Sequence, residues 1–295
     1  MDGEFLGLLS QGPKYWQEWR AAHPHVEPDL RAADLREMDL RGYNLSRANL
    51  SRACLSGANL EAANLQGAKL HKATLYETCL VAANLKEAVL TDAYLIGADG
   101  WELQGQRAEF SAADLRQVNF READLSYADL AGADLREASL RDGDLSYANL
   151  TGANLGGAQL MGVNLAHANL CRAILIEAEA IAAHLYRANL YNADLSQAHF
   201  SHADLREAIL IGAGLLGTDL SDAHLGKANL AKANLRQANL TRTNLRGANL
   251  NGADLHQAQL RAANLIQANL QDTRLTDAEL LHARLARSDQ AATDA

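Results

Sequence analysis

The amino-acid sequence predicts an all-β fold, a parallel β-helix of about thirteen square coils with a helical cap at its N-terminus. Two observations predict the coil. Leu or Phe occupies nearly every position divisible by five from Leu30 to Leu285, and a small residue, usually Ala, lies two places before most of them. The exceptions to the five-residue rule are Gly100, Gly105 and Ala180. A third observation, the similarity of successive stretches of twenty residues, sets the size of the coil.

A period of five excludes the two regular structures. In an α-helix, successive leucines would be rotated by about 140° from one another, so they would not form an apolar stripe. In a straight strand they would alternate between the two faces, because five is an odd number. The spacing of two from Ala to Leu fits a short extended segment with both side chains on one face. For every pair to face inward, the chain must turn once in each five residues.

The number of turns in a coil follows from the longer repeat. The stretch READLSYADLAGADLREASL, residues 121–140, is followed by RDGDLSYANLTGANLGGAQL, residues 141–160, where Ser-Tyr-Ala recurs at the same offset. Four five-residue sides therefore close one coil, and coils stack at about 4.8 Å, the spacing of neighbouring strands. Gly recurs two places after the leucine, where a type II turn needs a positive φ. Examples are Gly57, Gly67, Gly132, Gly152 and Gly247.

The units SRANL, SGANL, AGADL and NGADL resemble those of the pentapeptide-repeat family, whose pattern is A(D/N)LXX. The resemblance covers residues 26–285 and implies a right-handed quadrilateral β-helix, in agreement with the square coil. The opening LLSQGPKYWQEWRAAHP also resembles a leader that precedes the repeats in many bacterial members. Within the family, the quinolone-resistance proteins mimic DNA and bind a type II topoisomerase, so the resemblance leaves both a scaffold and a DNA mimic open.

The two ends of the chain differ from the repeats. Residues 1–25 are predicted to form a helical cap of two short helices that are separated at Gly12-Pro13. Its apolar side chains, which would cover the open end of the first coil, are Phe5, Leu9, Trp16 and Trp19. Residues 286–295 form a polar C-terminal tail. Just before it, Leu281 and Leu285 could close the last coil or pair with a second chain.

The repeat region, residues 26–285, is predicted to be interrupted near residues 100–106, where two inward leucines are missing although the count of five is kept. One interpretation is a distorted side within the wall. The other is a projecting loop, which would make Trp101 and Leu103 candidates for contact with a protein partner.

Composition excludes several classes of function. The formal charge of −9 argues against direct binding of nucleic acid, which depends on Lys and Arg. Three cysteines at no metal-binding spacing are expected to be reduced thiols of a cytoplasmic protein. The first residues show neither a signal peptide nor a membrane span, so no membrane association is expected.

Outward-facing side chains twenty residues apart should lie above one another. Cys171, Tyr191 and Ile211 then form one apolar column, and we place Met161 and Ile181 in a neighbouring column. Contiguous apolar area on a soluble surface is typical of a contact surface. These five residues are therefore the main candidates for contact with a protein partner, or with a second copy of the chain.

One polar column could carry chemistry. His184, Asp204 and His224 are predicted to stack, and two imidazoles around a carboxylate could bind a metal or form a catalytic pair. The alternative is a plain ladder of polar side chains on an open wall that offers no pocket. We favour the ladder, and we expect no catalytic residues, no cofactor and no metal.

The acid-rich stretch 107–144 raises the possibility of DNA mimicry. Asp114 is predicted to lie over Asp134, but Arg116 over Arg136 lies close by and would partly neutralise the acids. The sequence therefore favours a non-enzymatic scaffold that binds proteins, with possible dimerisation through the C-terminal end or the apolar face. The alternative is a DNA-mimicking modulator of DNA gyrase or topoisomerase that protects against an inhibitor.

Overall fold

The computed structural model describes residues 4–285. Two helices come first, α1 (Glu4–Ser10) and α2 (Pro13–Ala22), and α2 begins with a proline whose missing N–H costs nothing at that position. From residue 29 onward the chain repeats one pattern, two turn residues followed by a single paired residue in every five. The chain divides into two compact units, Met1–Asn149 and Leu150–Ala295.

Parallel pairing joins residues that are twenty positions apart. Asp29 pairs with Asn49 in the first unit, and Asn154 pairs with Ile174 in the second. Each pair is a single bridge rather than an extended strand, since the turns leave room for only three residues on each side. The Leu30 N–H donates to the Asn49 carbonyl over 2.8 Å. This pairing confirms the predicted coil of four five-residue sides.

The turn between two sides is closed by a backbone hydrogen bond. The Ala53 N–H donates to the Leu50 carbonyl over 2.9 Å, and Arg52 has a positive φ of 60°. Gly57 takes the same conformation, with a φ of 69°, as the sequence predicts. However, this position holds many residues other than Gly. The Arg52 N–H donates to the His71 carbonyl of the next coil over 2.9 Å, and this pairing holds residues such as Arg, Glu, Ala and Tyr in the left-handed conformation.

Leucine and alanine form the core. In both units the inward leucines and the small residues two places before them, such as Leu50 and Ala48, are almost all fully buried. Each buried leucine contributes about 1.5–3 kcal/mol to folding. A single coil would leave both of its open faces in water, so the stability of the fold depends on stacking.

Residues 100–106 are not an interruption, and the expectation of a distorted side or a projecting loop is wrong. Asp99 pairs with Asn119 and Gln104 with Asp124, twenty residues on, as in the rest of the unit. Other side chains fill the core where the inward leucines are missing. The backbone therefore keeps the regular path of the coil.

Three side chains fill the space that Gly100 and Gly105 leave. A Cβ on Gly100 would lie 2.7 Å from the Phe120 ring and 3.1 Å from Leu103. A Cβ on Gly105 would lie 2.7 Å from Leu125 and 3.0 Å from Leu103. Leu103 is fully buried, so the prediction that it contacts a partner is wrong. Trp101 lies on the surface with 42% of its area exposed.

Among the described residues no coil precedes the first one, and side chains of α2 supply the hydrogen-bond donors that such a coil would provide. In later coils, carbonyls such as that of Glu61 accept an N–H from the coil before. In the first coil, the buried Trp16 donates its Nε1 to the Asn44 carbonyl over 2.9 Å. The Arg20 guanidinium donates to the Ser46 carbonyl over 3.0 Å. These two donors satisfy acceptors that would otherwise form an open sheet edge.

The other cap residues complete this contact. Leu9 is buried, and the rings of Phe5 and Trp19 meet edge to face at 5.2 Å. A cap over the first coil is the role that the sequence predicts for them.

The remaining three sides of the first coil carry ion pairs. Arg31, Arg36 and Arg41 bind the carboxylates two residues before them, Asp29, Asp34 and Asp39, at 2.5–2.6 Å. The Arg36 hydrogen bond lowers the pKa of Asp34 to about 2. Charges along a sheet edge oppose its pairing with another chain.

At the other end, the last described coil is less enclosed. Leu275, Leu280 and Leu285 are half-buried, and Leu281 is exposed. The predicted polar tail, residues 286–295, lies outside the described residues. Neither helix in the described part of the chain is long and apolar enough to cross a bilayer.

Candidate functional site

Asn and Asp dominate the outward positions for a structural reason. The Asn49 side-chain oxygen accepts the Ser51 N–H over 3.2 Å, and the same bond recurs along both units. Amide side chains also bond from coil to coil, as between Asn249 and Asn229 at 3.0 Å. These side chains satisfy backbone donors that the pairing leaves free. The frequency of Asn and Asp on the surface is therefore explained by the hydrogen bonds that hold the coils together.

The predicted apolar column is present in the second unit. The N–H of Arg172 donates to the Tyr191 carbonyl over 2.9 Å, and that of Asn192 to the Ile211 carbonyl over 3.0 Å. Cys171, Tyr191 and Ile211 therefore stack at one corner of successive coils. Tyr191 is 40% exposed, and the other two side chains are half-buried.

Met161 and Ile181 do not adjoin this column. They stack on each other, because the Gly162 N–H donates to the Ile181 carbonyl over 3.1 Å. However, Met161 lies ten residues before Cys171, which is half a coil. The two columns therefore occupy diagonally opposite corners, and the prediction of one patch made from both is wrong.

Other apolar side chains extend the Tyr191 column. Ile174 lies on the side that follows Cys171, and Ile209 on the side that precedes Ile211. Both are exposed, at 38% and 40%. The resulting surface, here called the apolar wall, comprises Cys171, Ile174, Ile176, Tyr191, Ile209, Ile211 and Leu216. Four of these were missed in the sequence, where the signal is an apolar residue two, three or five places from a member of the column.

One carboxylate lies within the apolar wall. Asp194 pairs with Ile174 above it and Gly214 below it. Its side-chain oxygen accepts the Ser196 hydroxyl over 2.6 Å and the Ser196 N–H over 3.0 Å. Its hydrogen-bonding capacity is thus partly used within the side.

The histidine column is a ladder. Asp204 pairs with His184 and His224, as predicted. Its carboxylate binds the Arg206 guanidinium at 2.6 Å, and this contact lowers the pKa of Asp204. Among the described residues, no three side chains lie close enough to hold a metal ion. The Asp204 carboxylate is thus engaged by Arg206 within a column of stacked polar side chains.

Arginines offset the acidic column of the first unit. Arg116 binds Asp114 at 2.7 Å and lies 3.8 Å from Asp134, which Arg136 binds at 2.6 Å. The Arg136 hydrogen bond lowers the pKa of Asp134. Each aspartate of this column is therefore paired with an arginine of the adjacent column, and the two do not form a row of unpaired anions.

An exposed aromatic stack lies on the same unit. Tyr127 and Tyr147 are parallel, with ring centroids 4.9 Å apart, and the Arg107 guanidinium lies 5.9 Å from the Tyr127 ring. The Ser-Tyr-Ala echo in the sequence contains both tyrosines, but their stacking was not predicted.

The family model of pentapeptide repeats matches the chain in eight copies. The copies cover residues 29–67, 44–80, 68–99, 106–142, 144–175, 183–221, 218–257 and 253–289. Proteins of that family fold as right-handed quadrilateral β-helices and are generally non-enzymatic scaffolds. No curated protein matches the sequence.

The solved structures that are similar to the chain include the following three. HetL from the cyanobacterium Nostoc sp. strain PCC 7120, a protein involved in heterocyst differentiation regulation, is 37% identical over 70% of this chain and 89% of its own, with a TM-score of 0.49. Rfr23 from Cyanothece 51142 is 38% identical over 35% of this chain and 64% of its own, with a TM-score of 0.21. QnrB1, a plasmid-mediated fluoroquinolone resistance protein, is 20% identical over 80% and 90%, with a TM-score of 0.34.

Proposed function

Since the chain belongs to the pentapeptide-repeat family, we propose that it is a non-enzymatic scaffold that binds a protein partner through the apolar wall. The observation that carries this proposal is the exposure of Ile174, Tyr191 and Ile209 on a surface that is otherwise mostly polar. Exposed apolar side chains grouped around one corner in this way favour burial against another protein. We place the protein in the cytoplasm, in keeping with its three free cysteines.

A rigid wall suits this role. The backbone under Tyr191 is held by hydrogen bonds to the coils on both sides, at 2.9 and 3.0 Å. Because the side chains project from a backbone that is already ordered, binding costs little conformational entropy. The partner that fits is a protein with a complementary apolar surface, and Tyr191, the one aromatic side chain of the wall, is the expected hot spot.

A pair of double variants tests the proposal. Tyr191→Glu with Ile211→Glu places two charges in the wall, whereas Met161→Glu with Ile181→Glu places the same charges at the opposite corner. Each form is used as bait in lysate of the native source, and its mass in solution is measured by light scattering.

We expect the wall variant to lose a partner that the wild type and the opposite-corner variant both retain. Loss of a dimer in the wall variant alone would identify a second copy of the chain as the occupant. Equal capture and equal mass for all three forms would contradict the proposal.

The C-terminal end is the second surface that we propose for self-association. Its support is the exposure of Leu281 beside half-buried Leu280 and Leu285. Leu281→Glu should convert a dimer formed at this end to a monomer in light scattering. A dimer that persists in this variant would exclude the end as its interface.

A DNA-mimicking modulator of DNA gyrase is the alternative function. It would need anions at phosphate-like spacing without matching cations, whereas Asp114 and Asp134 are both bound by arginine. Supercoiling by purified gyrase, with and without a fluoroquinolone, separates the two functions. A scaffold should leave the activity and the drug sensitivity unchanged, and a dose-dependent change in either would favour mimicry.

A further inference from the structure

A notch opens at one corner of the second unit, where two glycines interrupt neighbouring columns of side chains. Gly226 and Gly247 line this open notch, which has a volume of about 430 Å³. A Cβ on Gly226 would have as its nearest neighbours the Arg246 carbonyl at 3.8 Å and the Arg206 Cγ at 4.0 Å. The space above Gly226 is therefore open and is not needed for packing.

Three cations line this notch, Arg206, Lys227 and Arg246. Arg206 is paired with Asp204 at 2.6 Å. By contrast, the Arg246 side chain contacts the neutral Gln267 at 3.4 Å, and Lys227 forms no ion pair within residues 4–285. Lys227 and Arg246 lie on adjacent coils, where like charges repel one another. A bound anion would relieve this repulsion.

The carboxylate at the rim supplies only part of that anion. Glu207 lines the notch and is bound by Arg187 on the coil before, at 2.8 Å, and the charge of Lys227 also contributes to lowering the pKa of Glu207. Arg187, Arg206, Lys227 and Arg246 face only the carboxylates of Asp204 and Glu207, so an excess of two positive charges remains among these described residues.

One lining residue, Gly226, carries a backbone donor that is unpaired among residues 4–285. The N–H groups of Arg206 and Arg246 donate to Asp204 at 3.1 Å and to Asn244 at 3.2 Å, in the recurrent bond between neighbouring residues of one side. The Gly226 N–H has no hydrogen-bond partner in the described part of the chain, because His224 stands where an Asn or Asp would accept it. With no side chain of its own, Gly226 leaves this donor accessible.

We propose that the notch binds the phosphoryl group of a phosphate monoester. Arg206 approaches from the coil before, Arg246 from the coil after, and Lys227 and the Gly226 N–H from the coil between them. Donors on several sides fit a tetrahedral oxyanion with charge near −2 better than a planar carboxylate, which two parallel donors satisfy.

The aromatic side chain at the rim does not favour a nucleobase. Tyr186 lines the notch, but guanidinium groups already lie near its ring, Arg187 at 5.1 Å and Arg206 at 5.8 Å from the centroid. The recognised group is therefore the phosphate itself. Free phosphate esters and phosphorylated proteins both carry it.

Calorimetric titration tests this site on the full chain in phosphate-free buffer of low ionic strength, with inorganic phosphate, phosphoserine peptide and acetate as probes. Gly226→Glu fills the notch with a carboxylate at a position where a Cβ meets no atom closer than 3.8 Å. Arg246→Gln removes one unmatched charge without filling the space. Ala231→Glu is the matched control, since it adds the same charge at the same place in a five-residue unit but at the next corner.

We expect saturable binding of phosphate that Gly226→Glu abolishes, that Arg246→Gln weakens about ten-fold and that Ala231→Glu retains. The binding should also weaken as salt is added.

Tighter binding of the phosphopeptide would assign the group to a phosphorylated protein, and equal binding would assign it to a free ester. Absence of saturation in the wild type, equal binding of acetate, or equal loss in Ala231→Glu would overturn the proposal. Circular dichroism of each variant checks that the coils remain folded.

Discussion

Substitution of Gly100 by alanine, although it restores an apolar side chain to the inward column, should destabilise the protein. Gly100 has no positive φ, so alanine meets no backbone strain there. Its Cβ would, however, lie 2.7 Å from two carbons of the Phe120 ring and 3.1 Å from Leu103. Phe120 and Leu103 are both fully buried in a tightly packed core, and the ring cannot move without displacing its neighbours.

The size of the effect follows from two opposing contributions. Overpacking a core by one methyl group costs about 1–3 kcal/mol. Replacing Gly by Ala stabilises by about 0.4–1 kcal/mol through the unfolded chain. The net expectation for Gly100→Ala is therefore a loss of up to about 2.6 kcal/mol, with a middle value of about 1.3 kcal/mol.

Guanidinium unfolding followed by circular dichroism measures this loss against a matched control. Gly226→Ala has the same effect on the unfolded chain, but its Cβ meets nothing closer than 3.8 Å, so it should be neutral or stabilising. Phe120→Leu should relieve the overlap, and the double variant with Gly100→Ala should lose less stability than the sum of the single changes. If Gly100→Ala proved as stable as Gly226→Ala, the packing argument for residues 100–106 would be refuted.

Three further outcomes are expected. Trp16→Ala should cost about 3–5 kcal/mol in denaturant unfolding, because it removes a fully buried ring and its bond to the first coil; a loss below 1 kcal/mol would contradict the role of the cap. Thr218→Val should cost about 0.5–1.5 kcal/mol, since the Thr218 hydroxyl donates to the Leu195 carbonyl over 2.8 Å, and an unchanged midpoint would argue against that bond. The folded pKa of Asp34, about 2, lies below its ordinary value, so the pair with Arg36 favours the folded state above about pH 4 and loses that effect as the pH falls towards 2. A carboxyl NMR titration should show this pKa rising in Arg36→Gln, and an ordinary pKa in the wild type would refute the pairing.

Most of the fold can be predicted from the five-residue period of the sequence. Leucine every five residues, with an echo at twenty, predicts the coil because each inward position is set by local geometry alone. The filling of the space beside Gly100 by Leu103 and Phe120 could not be predicted in this way. Leu103 belongs to another column and Phe120 to the next coil, whereas a count along one column shows only that a leucine is missing.

The candidate surface was predictable only in part. The stacking of Tyr191 on Ile211 follows from the period, but the placement of Met161 requires a count of corners, and ten residues lead to the opposite one. Ile174 and Ile209 could have been found by the same count. The notch at Gly226 could not, since it depends on which arginines and lysines already have partners.

The twenty-residue pairing constrains how such a chain can change in length. Within a unit, loss or gain of five residues would keep every leucine inside yet carry all later surface side chains about a quarter of the way around the axis. The apolar wall would be broken while the core stayed intact. Insertions of twenty would instead only slide the later surface along the axis by about 4.8 Å. Whole-coil duplication is thus the mutation by which these proteins can grow without losing what they recognise.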